Sequence, residues 1–183
     1  TTFLLKHEID TGNLIFQERV EIGPNMTAGE LHDQLMYTGA DLLVKTVEAM
    51  AVGDYPLQDQ GGLLAGREPK HAPKIFKEDM KVDWSLGVDA IFNHIRGLSP
   101  FPTAWTEFRN KKNGEIVSLK IFETERIVKD HGKEVGLSTD NKTYLDVLVK
   151  GGVIRIKELQ LSGKKRMKTE EFLRGFHIED YSL

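Results

Sequence analysis

Hydrophobic and polar positions along this chain change rhythm several times. Residues 2–5 form a β-branched and apolar run that ends in the polar Lys6-His7-Glu8. After Asp10-Thr11-Gly12-Asn13, which has turn composition, Leu14-Ile15-Phe16 leads into Glu18-Arg19-Val20-Glu21-Ile22. The alternation over 18–22 suits a strand with one wet face. Gly23-Pro24-Asn25 breaks that pattern, and Thr27 followed by Glu30 is a capping-box signal. Leu31, Leu35, Leu42, Leu43 and Val47 then fall roughly on one face, which predicts a helix to about Met50. The opening is therefore read as β-turn-β-helix.

Such a piece is too small to close an α/β core, which needs several strands covered on both faces. The sequence also starts at Thr1 without a Met, so residues 1–52 are expected to be the truncated end of a larger domain. Residues 53–74 hold Gly53, Pro56, Gly61, Gly62, Gly66, Pro69 and Pro73 with little periodicity, and are read as a linker.

A new pattern starts at Asp83-Trp84-Ser85. Asp83 or Ser85 is expected to cap a helix carrying Leu86, Ile91, Phe92 and Ile95, ended by Gly97 and Pro100. Strands are predicted near 103–109, 115–127, 143–149 and 153–161, separated by Asn110–Gly114, by a Gly-containing stretch around 130–142 and by Lys150-Gly151-Gly152. A last short helix over 169–174 is expected to be capped by Thr169. Residues 75–183 thus read as a helix followed by a small open β-barrel of oligonucleotide-binding (OB) type.

Composition narrows the function classes. The chain has 183 residues, 39% of them apolar and 29% charged, which is a globular composition. It has no cysteine, which removes disulfides, thiolate metal sites and cysteine nucleophiles. No apolar run approaches the roughly 20 residues of a membrane span and no signal peptide is recognisable, so the chain reads as soluble and cytoplasmic, with no membrane partner. The six His residues form no close-spaced pair, and no metal site is expected. Neither a G-x-G-x-x-G nor a P-loop pattern occurs.

Charge is distributed unevenly. Residues 1–60 carry three basic against ten acidic side chains, whereas 150–174 carry eight basic against three acidic. A basic end on a mildly acidic protein points to a local polyanion site, against the plainer alternative of a solvated charged face.

Three motifs carry candidate chemistry. Asp10-Thr11-Gly12 places a carboxylate at a strand end beside a residue that lets another group come close, an arrangement able to orient an imidazole or take a proton, although such a triplet is also an ordinary turn. An aspartic-protease reading of the same triplet is contradicted by the helix that follows. Arg96-Gly97-Leu98-Ser99-Pro100-Phe101-Pro102 joins helix to barrel, with a cation at a helix C-terminus and two prolines expected to fix an extended turn. Lys164-Lys165-Arg166 follows a Gly turn at the end of the last long strand, where three cations can engage backbone phosphates. Trp84 is read as core rather than as a stacking platform.

Taken in order, EIDTGNLI, TAGELHDQL, APKIFKEDMKVDWS, IRGLSPFPTAW and LQLSGKKRMKTEEFLRG resemble the methionyl-tRNA formyltransferase family, from late in its catalytic domain to its C-terminus. The resemblance implies a Rossmann-like formyltransferase remnant over 1–52, a linker over 53–74 and a C-terminal OB-like domain over 75–183. It implies transfer of a formyl group from 10-formyltetrahydrofolate to the amino group of methionyl initiator tRNA in translation initiation. The family's site is an Asn, a His and an Asp. The Asp falls on Asp10, with Thr11 and Gly12 beside the formyl donor, while the Asn and His have no counterpart in these 183 residues. Asn13 departs from the Asp or Pro common after D-T-G in the family.

An amine attacking a formyl carbon gives a tetrahedral oxyanion, which needs a hydrogen-bond donor and a group to take the ammonium proton. Without the Asn and His, this chain alone is expected to be inactive. The tRNA-binding candidates are Lys74, Lys77 and Lys81 at the domain entrance, Arg96 at the helix end, Arg155 and Lys157 on one strand face, and Lys164, Lys165 and Arg166 in the basic loop. Two alternatives remain at this point: a formyltransferase acting on a small amine such as a nucleotide-linked amino sugar, and a non-enzymatic RNA-binding module.

Overall fold

The computed structural model describes residues 1–9, 11–64, 66, 68 and 70–183. The chain divides into two compact units, Thr1–Pro24 with Glu30–Lys74, and Asn25–Gly29 with Ile75–Leu183. No helix among the described residues is long and apolar enough to cross a membrane.

In the first unit the opening runs pair as expected, but barely. Thr2 N donates to Phe16 O at 2.9 Å, Ile15 N to Thr2 O at 2.9 Å and Leu4 N to Asn13 O at 3.0 Å. On its other side Leu14 exchanges two 2.9 Å bonds with Gln58, so residues 2–4, 13–16 and 58 form a minimal antiparallel ladder of isolated bridges. The alternating segment 18–22 is not a strand, and Ile22 is exposed. Alternation describes a face, but a strand also needs a neighbour to take its backbone groups.

Helix α1 spans Ala28–Val52. Its expected face is only partly the one used: Leu42 and Thr46 are buried and Leu31 is half-buried, whereas Leu35, Leu43 and Val47 are exposed. The side that packs runs through Leu31, Thr38, Leu42, Thr46 and Ala49. Thr46 anchors it, donating to Leu42 O at 2.7 Å and lying 2.9 Å from the Thr2 hydroxyl, which in turn accepts from Phe16 N. A short helix α2, Gln60–Leu64, follows the Gln58 bridge.

The second unit holds the larger core. Helix α3, Val88–Leu98, buries Val88, Ile91, Phe92, Ile95 and Leu98, the i, i+3, i+4, i+7 spacing of an amphipathic helix. It starts later than the sequence suggests. Asp83 is spent on its own turn, accepting from Ser85 N at 2.9 Å and Ser85 Oγ at 2.6 Å, and Leu86 is exposed. The helix is capped at Gly87 without a side chain, its first N–H donating to Lys150 O at 3.0 Å.

The strands are β1 Ala104–Asn110, β2 Ile116–Val128, β3 Gly136–Thr139, β4 Leu145–Val149, β5 Gly152–Leu161, β6 Met167–Lys168 and β7 Tyr181–Ser182. They pair antiparallel in the order β3-β4-β5-β2-β1-β7, with β6 added to β5, and curl into a nearly closed barrel. Strand β3 lies inside the stretch expected to be a connector, and the two-residue β6 and β7 carry no pattern of their own. Helix α4, Thr169–Leu173, is capped at Lys168 and not at Thr169, whose hydroxyl instead donates to Ile156 O at 2.6 Å.

Inward residues Ala104, Phe108, Leu119, Ile121, Leu145, Val147, Ile154, Ile156 and Leu159 meet the buried face of α3. Trp84 belongs to this core, 8% exposed, with its indole N–H on Thr106 Oγ1 at 2.8 Å. The Pro-Phe-Pro corner is a turn, as expected, with Thr103 N donating back to Leu98 O at 2.9 Å; the Ser99–Pro100 and Phe101–Pro102 bonds are cis.

Candidate functional site

The D-T-G turn lies in the first unit. Asp10 itself is outside the described residues. Thr11 Oγ1 donates to Glu8 O at 3.0 Å, and Gly12 O accepts from Gln60 Nε2 at 2.6 Å. A Cβ at Gly12 would sit 1.5 Å from Leu4 O, so this position needs glycine because the facing backbone fills its side-chain space. Asn13 Oδ1 accepts from Lys6 Nζ at 3.2 Å. The hydrogen bonds of Thr11 and Gly12 hold the turn's shape, and Gly12 offers no open cradle on its Leu4 side.

The cations expected to face RNA fall into different circumstances. Lys74 is exposed at the end of the first unit. In the second unit Arg96 is bound into the protein, donating to Asn93 Oδ1 at 2.7 Å and to Met26 O at 2.6 Å. Arg155 makes a two-pronged pair with Asp146, at 2.8 and 2.9 Å, and lies over the Tyr144 ring. The hydrogen bond to Asp146 is the main reason its pKa rises. Asp146 is nearly buried, so this pair is structural.

The basic loop is partly neutralised. Arg166 pairs with Glu158 and lies 4.3 Å from the Phe122 ring centroid, and Lys165 meets Glu171 at 3.0 Å. Lys164 and Lys157 have no acidic partner among the described residues. Lys157 stands at an irregularity where β2 and β5 shift register, between Glu123↔Glu158 and Thr124↔Ile156.

Register places Trp105, Lys120 and Gln160, which linear reading missed, in a row between cations that it named. On the outer barrel face Trp105 of β1 lies opposite Lys120 of β2, and Lys120 lies opposite Gln160 of β5. Gln160 Nε2 donates to Lys164 O at 2.7 Å, carrying the row into the basic loop. At its other end Lys77 and Lys81 lie 5.4 and 5.0 Å from the Trp105 ring centroid, and Trp105 Nε1 donates to Lys77 O at 2.9 Å. Lys81 also pairs with Glu107 at 2.6 Å. The result is a cationic and aromatic track across three adjacent strands, Lys77 and Lys81, Trp105, Lys120, Gln160 and Lys164. Cations with an aromatic face are the chemistry that holds a sugar-phosphate backbone. Strand alternation alone places Trp105 outward, but only pairing across β1, β2 and β5 brings Lys120 and Gln160 beside it. Among the described residues, no group of three or more His, Asp or Glu side chains gathers as a metal site.

The family profile described as "Formyl transferase, C-terminal domain" matches residues 74–177, more than half of the chain. A protein of Phocaeicola vulgatus named methionyl-tRNA formyltransferase is 47% identical over 182 residues, covering 98% of this chain and 56% of its own length. One of the same name from Bacteroides fragilis is 45% identical over 181 residues, with the same coverage. The chain therefore spans about half the length of these relatives. A variant of HypX from Aquifex aeolicus shares the fold, with a TM-score of 0.66 at 15% identity over 97% of this chain and 31% of that one. HypX in complex with tetrahydrofolic acid gives a TM-score of 0.64 over 99% of this chain and 33% of that one. By the profile match and these relatives, the chain belongs to the formyl transferase family.

Proposed function

We propose that this chain is part of a methionyl-tRNA formyltransferase, which transfers a formyl group from 10-formyltetrahydrofolate to the amino group of methionyl initiator tRNA. Residues 1–52 are the end of its Rossmann-like catalytic domain, 53–74 the linker and 75–183 the OB-like domain that holds the tRNA. The observation that carries this reading is 47% identity to a protein of that name along 98% of the chain, through both units. The track from Lys77 to Lys164 supports the tRNA part independently, because a small amine substrate has no use for cations spread over three strands.

The folate supplies the formyl carbon. What falls to this chain is narrower. Asp10 at the D-T-G turn orients and tunes an imidazole that takes the ammonium proton as the amine attacks. Gly12, closed against Leu4, and Gln60, bonded to Gly12 O, fix the backbone at Gly12, two residues after Asp10 in the sequence. Thr11, tied to Glu8 O, closes the other side of the turn. Because the imidazole and the oxyanion donor come from outside these residues, the 183-residue chain binds tRNA without formylating it.

A salt titration of the chain's binding to initiator tRNA, with bulk tRNA as competitor, tests this reading. The expected result is binding that weakens steeply with salt, with a log–log slope of about −0.9 for each phosphate neutralised in duplex. No binding at low salt overturns the tRNA role, and formylation by the chain alone overturns the division of the catalytic site.

A further inference from the structure

Phe101 is 83% exposed, the most exposed aromatic side chain among the large hydrophobic residues described. Single exposed apolar residues are common and usually sit on mobile surface. Phe101 differs because the backbone on either side of it is held. Ser99 and Thr103, on either side, are buried at 4% exposure. Ser99 Oγ donates to Phe122 O at 2.6 Å and Ser99 O accepts from Gly29 N at 2.9 Å. Pro100 lies so close over Gly29 that a Cβ there would come within 2.4 Å of its Cδ. Thr103 donates through N to Leu98 O and through Oγ1 to Pro100 O at 2.5 Å.

Thr103 also adopts φ +83°, a conformation that β-branched residues avoid. The fold therefore accepts strain to keep this turn, while the ring at its tip contributes little to the core. An aromatic ring presented rigidly loses little entropy on stacking, which is what a nucleobase contact requires.

The surroundings name the ligand chemistry. The Phe122 carbonyl that receives Ser99 belongs to the residue whose ring lies under Arg166, and Lys164 and Lys165 precede Arg166 in the same loop. The turn that carries Phe101 is thus tied through Phe122 to the strand position over which the basic loop folds, and a ring on a turn joined to a cationic loop fits a base attached to phosphates better than an apolar peptide. We propose that Phe101 stacks on an unpaired nucleobase of the bound RNA while the loop at 164–166 engages its phosphates. This rests on the tRNA reading above and deepens it.

The test titrates the 183-residue chain with two RNA hairpins of equal stem, one blunt and one carrying a short unpaired 3′ tail. Wild type should prefer the tailed probe by about 5- to 100-fold, the range that one base–aromatic stack supplies. Phe101→Ala should reduce the tailed probe to the blunt level with the salt slope unchanged, and Phe101→Trp should keep the preference. Phe101 is a surface residue, so these variants leave the core intact. Lys164→Ala with Lys165→Ala should weaken both probes equally and flatten the slope. A preference that survives in Phe101→Ala, or no preference in wild type while both probes bind, overturns the stacking role alone. Failure of wild type to bind either probe overturns the RNA reading and this proposal together.

Discussion

Glu123 and Glu158 face one another across β2 and β5, like charges in directly opposed positions. Such pairs destabilise a sheet unless cations neutralise them. Here Lys168 reaches Glu123 at 3.0 Å and Arg166 pairs with Glu158. The hydrogen bond that Lys168 donates to Glu123, followed by the Glu123 charge, raises the Lys168 pKa, while the nearby Arg166 acts against that rise. Two of the basic residues at the end of β5 are thus engaged by carboxylates before any phosphate arrives.

Removing one carboxylate should release its partner. Glu158→Gln is expected to strengthen binding to initiator tRNA and to steepen its salt slope by up to about one phosphate equivalent, because Arg166 no longer has to leave an ion pair. The stability change should be within about 1 kcal/mol, as for other exposed pairs. Parallel salt titrations of the two proteins check this, and an unchanged slope would show that Arg166 does not reach phosphate.

Arg155 should behave differently from the loop cations. Its partner Asp146 is buried at 7% exposure, so Arg155→Ala leaves in the barrel wall a carboxylate stripped of the guanidinium that neutralises it. The expected cost is about 2–3 kcal/mol, below the full penalty of a broken buried pair because the guanidinium is itself partly exposed. Denaturant unfolding measures that loss. The salt slope of RNA binding by the folded variant should match wild type, which separates a structural arginine from a phosphate-binding one.

How much of this was legible in the sequence depended on whether the signal was local. The long strands β1, β2, β4 and β5 lie within a few residues of the expected positions because Asn110 to Gly114 and Lys150-Gly151-Gly152 form the turns they suggest; Gly114 and Gly151 both take φ above +70°. Strand β3 was hidden because Gly136-Leu137-Ser138-Thr139 has no strand character until it is paired with β4. The reverse error occurred at 18–22, where alternation was present and a partner was not. The face of α1 was misjudged because the segment it packs against is narrow, leaving Leu43 and Val47 more than half exposed. For the site, sequence found the basic residues but not their acidic partners, since Arg155 meets Asp146 and Arg166 meets Glu158 only through strand register and a loop that folds back. The Trp105–Lys120–Gln160 row was invisible for the same reason.

The D-T-G turn offers a sharper test of the first unit. Gly12→Ala would push a methyl group into the Leu4 carbonyl, which is backbone and cannot rotate away. The Leu4–Asn13 and Thr2–Phe16 bonds should open, and Gln60 should lose its hold on the Gly12 carbonyl. Hydrogen exchange at the Leu4 and Ile15 amides should accelerate by about 5- to 150-fold, as expected when overpacking costs about 1–3 kcal/mol. Amides of the barrel strands, in the second unit, should keep their protection.

The last expectation concerns acid. Asp140 closes the β3–β4 turn, accepting from the Thr143 hydroxyl at 2.5 Å and from the backbone N–H groups of Lys142, Thr143 and Tyr144. These bonds, the Thr143 hydroxyl first, hold its carboxyl far below the usual carboxylate range. A carboxyl depressed in the folded state contributes stability that is fully present above its unfolded pKa and fades as pH falls toward the folded one. Asp140→Ala should therefore lower the Tm of the barrel at neutral pH, with the difference from wild type constant down to about pH 5 and shrinking below pH 4. Asp140→Asn, which keeps an acceptor oxygen but loses the charge, should fall between the two at neutral pH and converge on wild type in acid. Thermal melts of the three proteins from pH 7 to pH 2 decide the point. A wild-type advantage that persists undiminished into strong acid would mean that the turn is held by its shape and not by the ionised carboxylate.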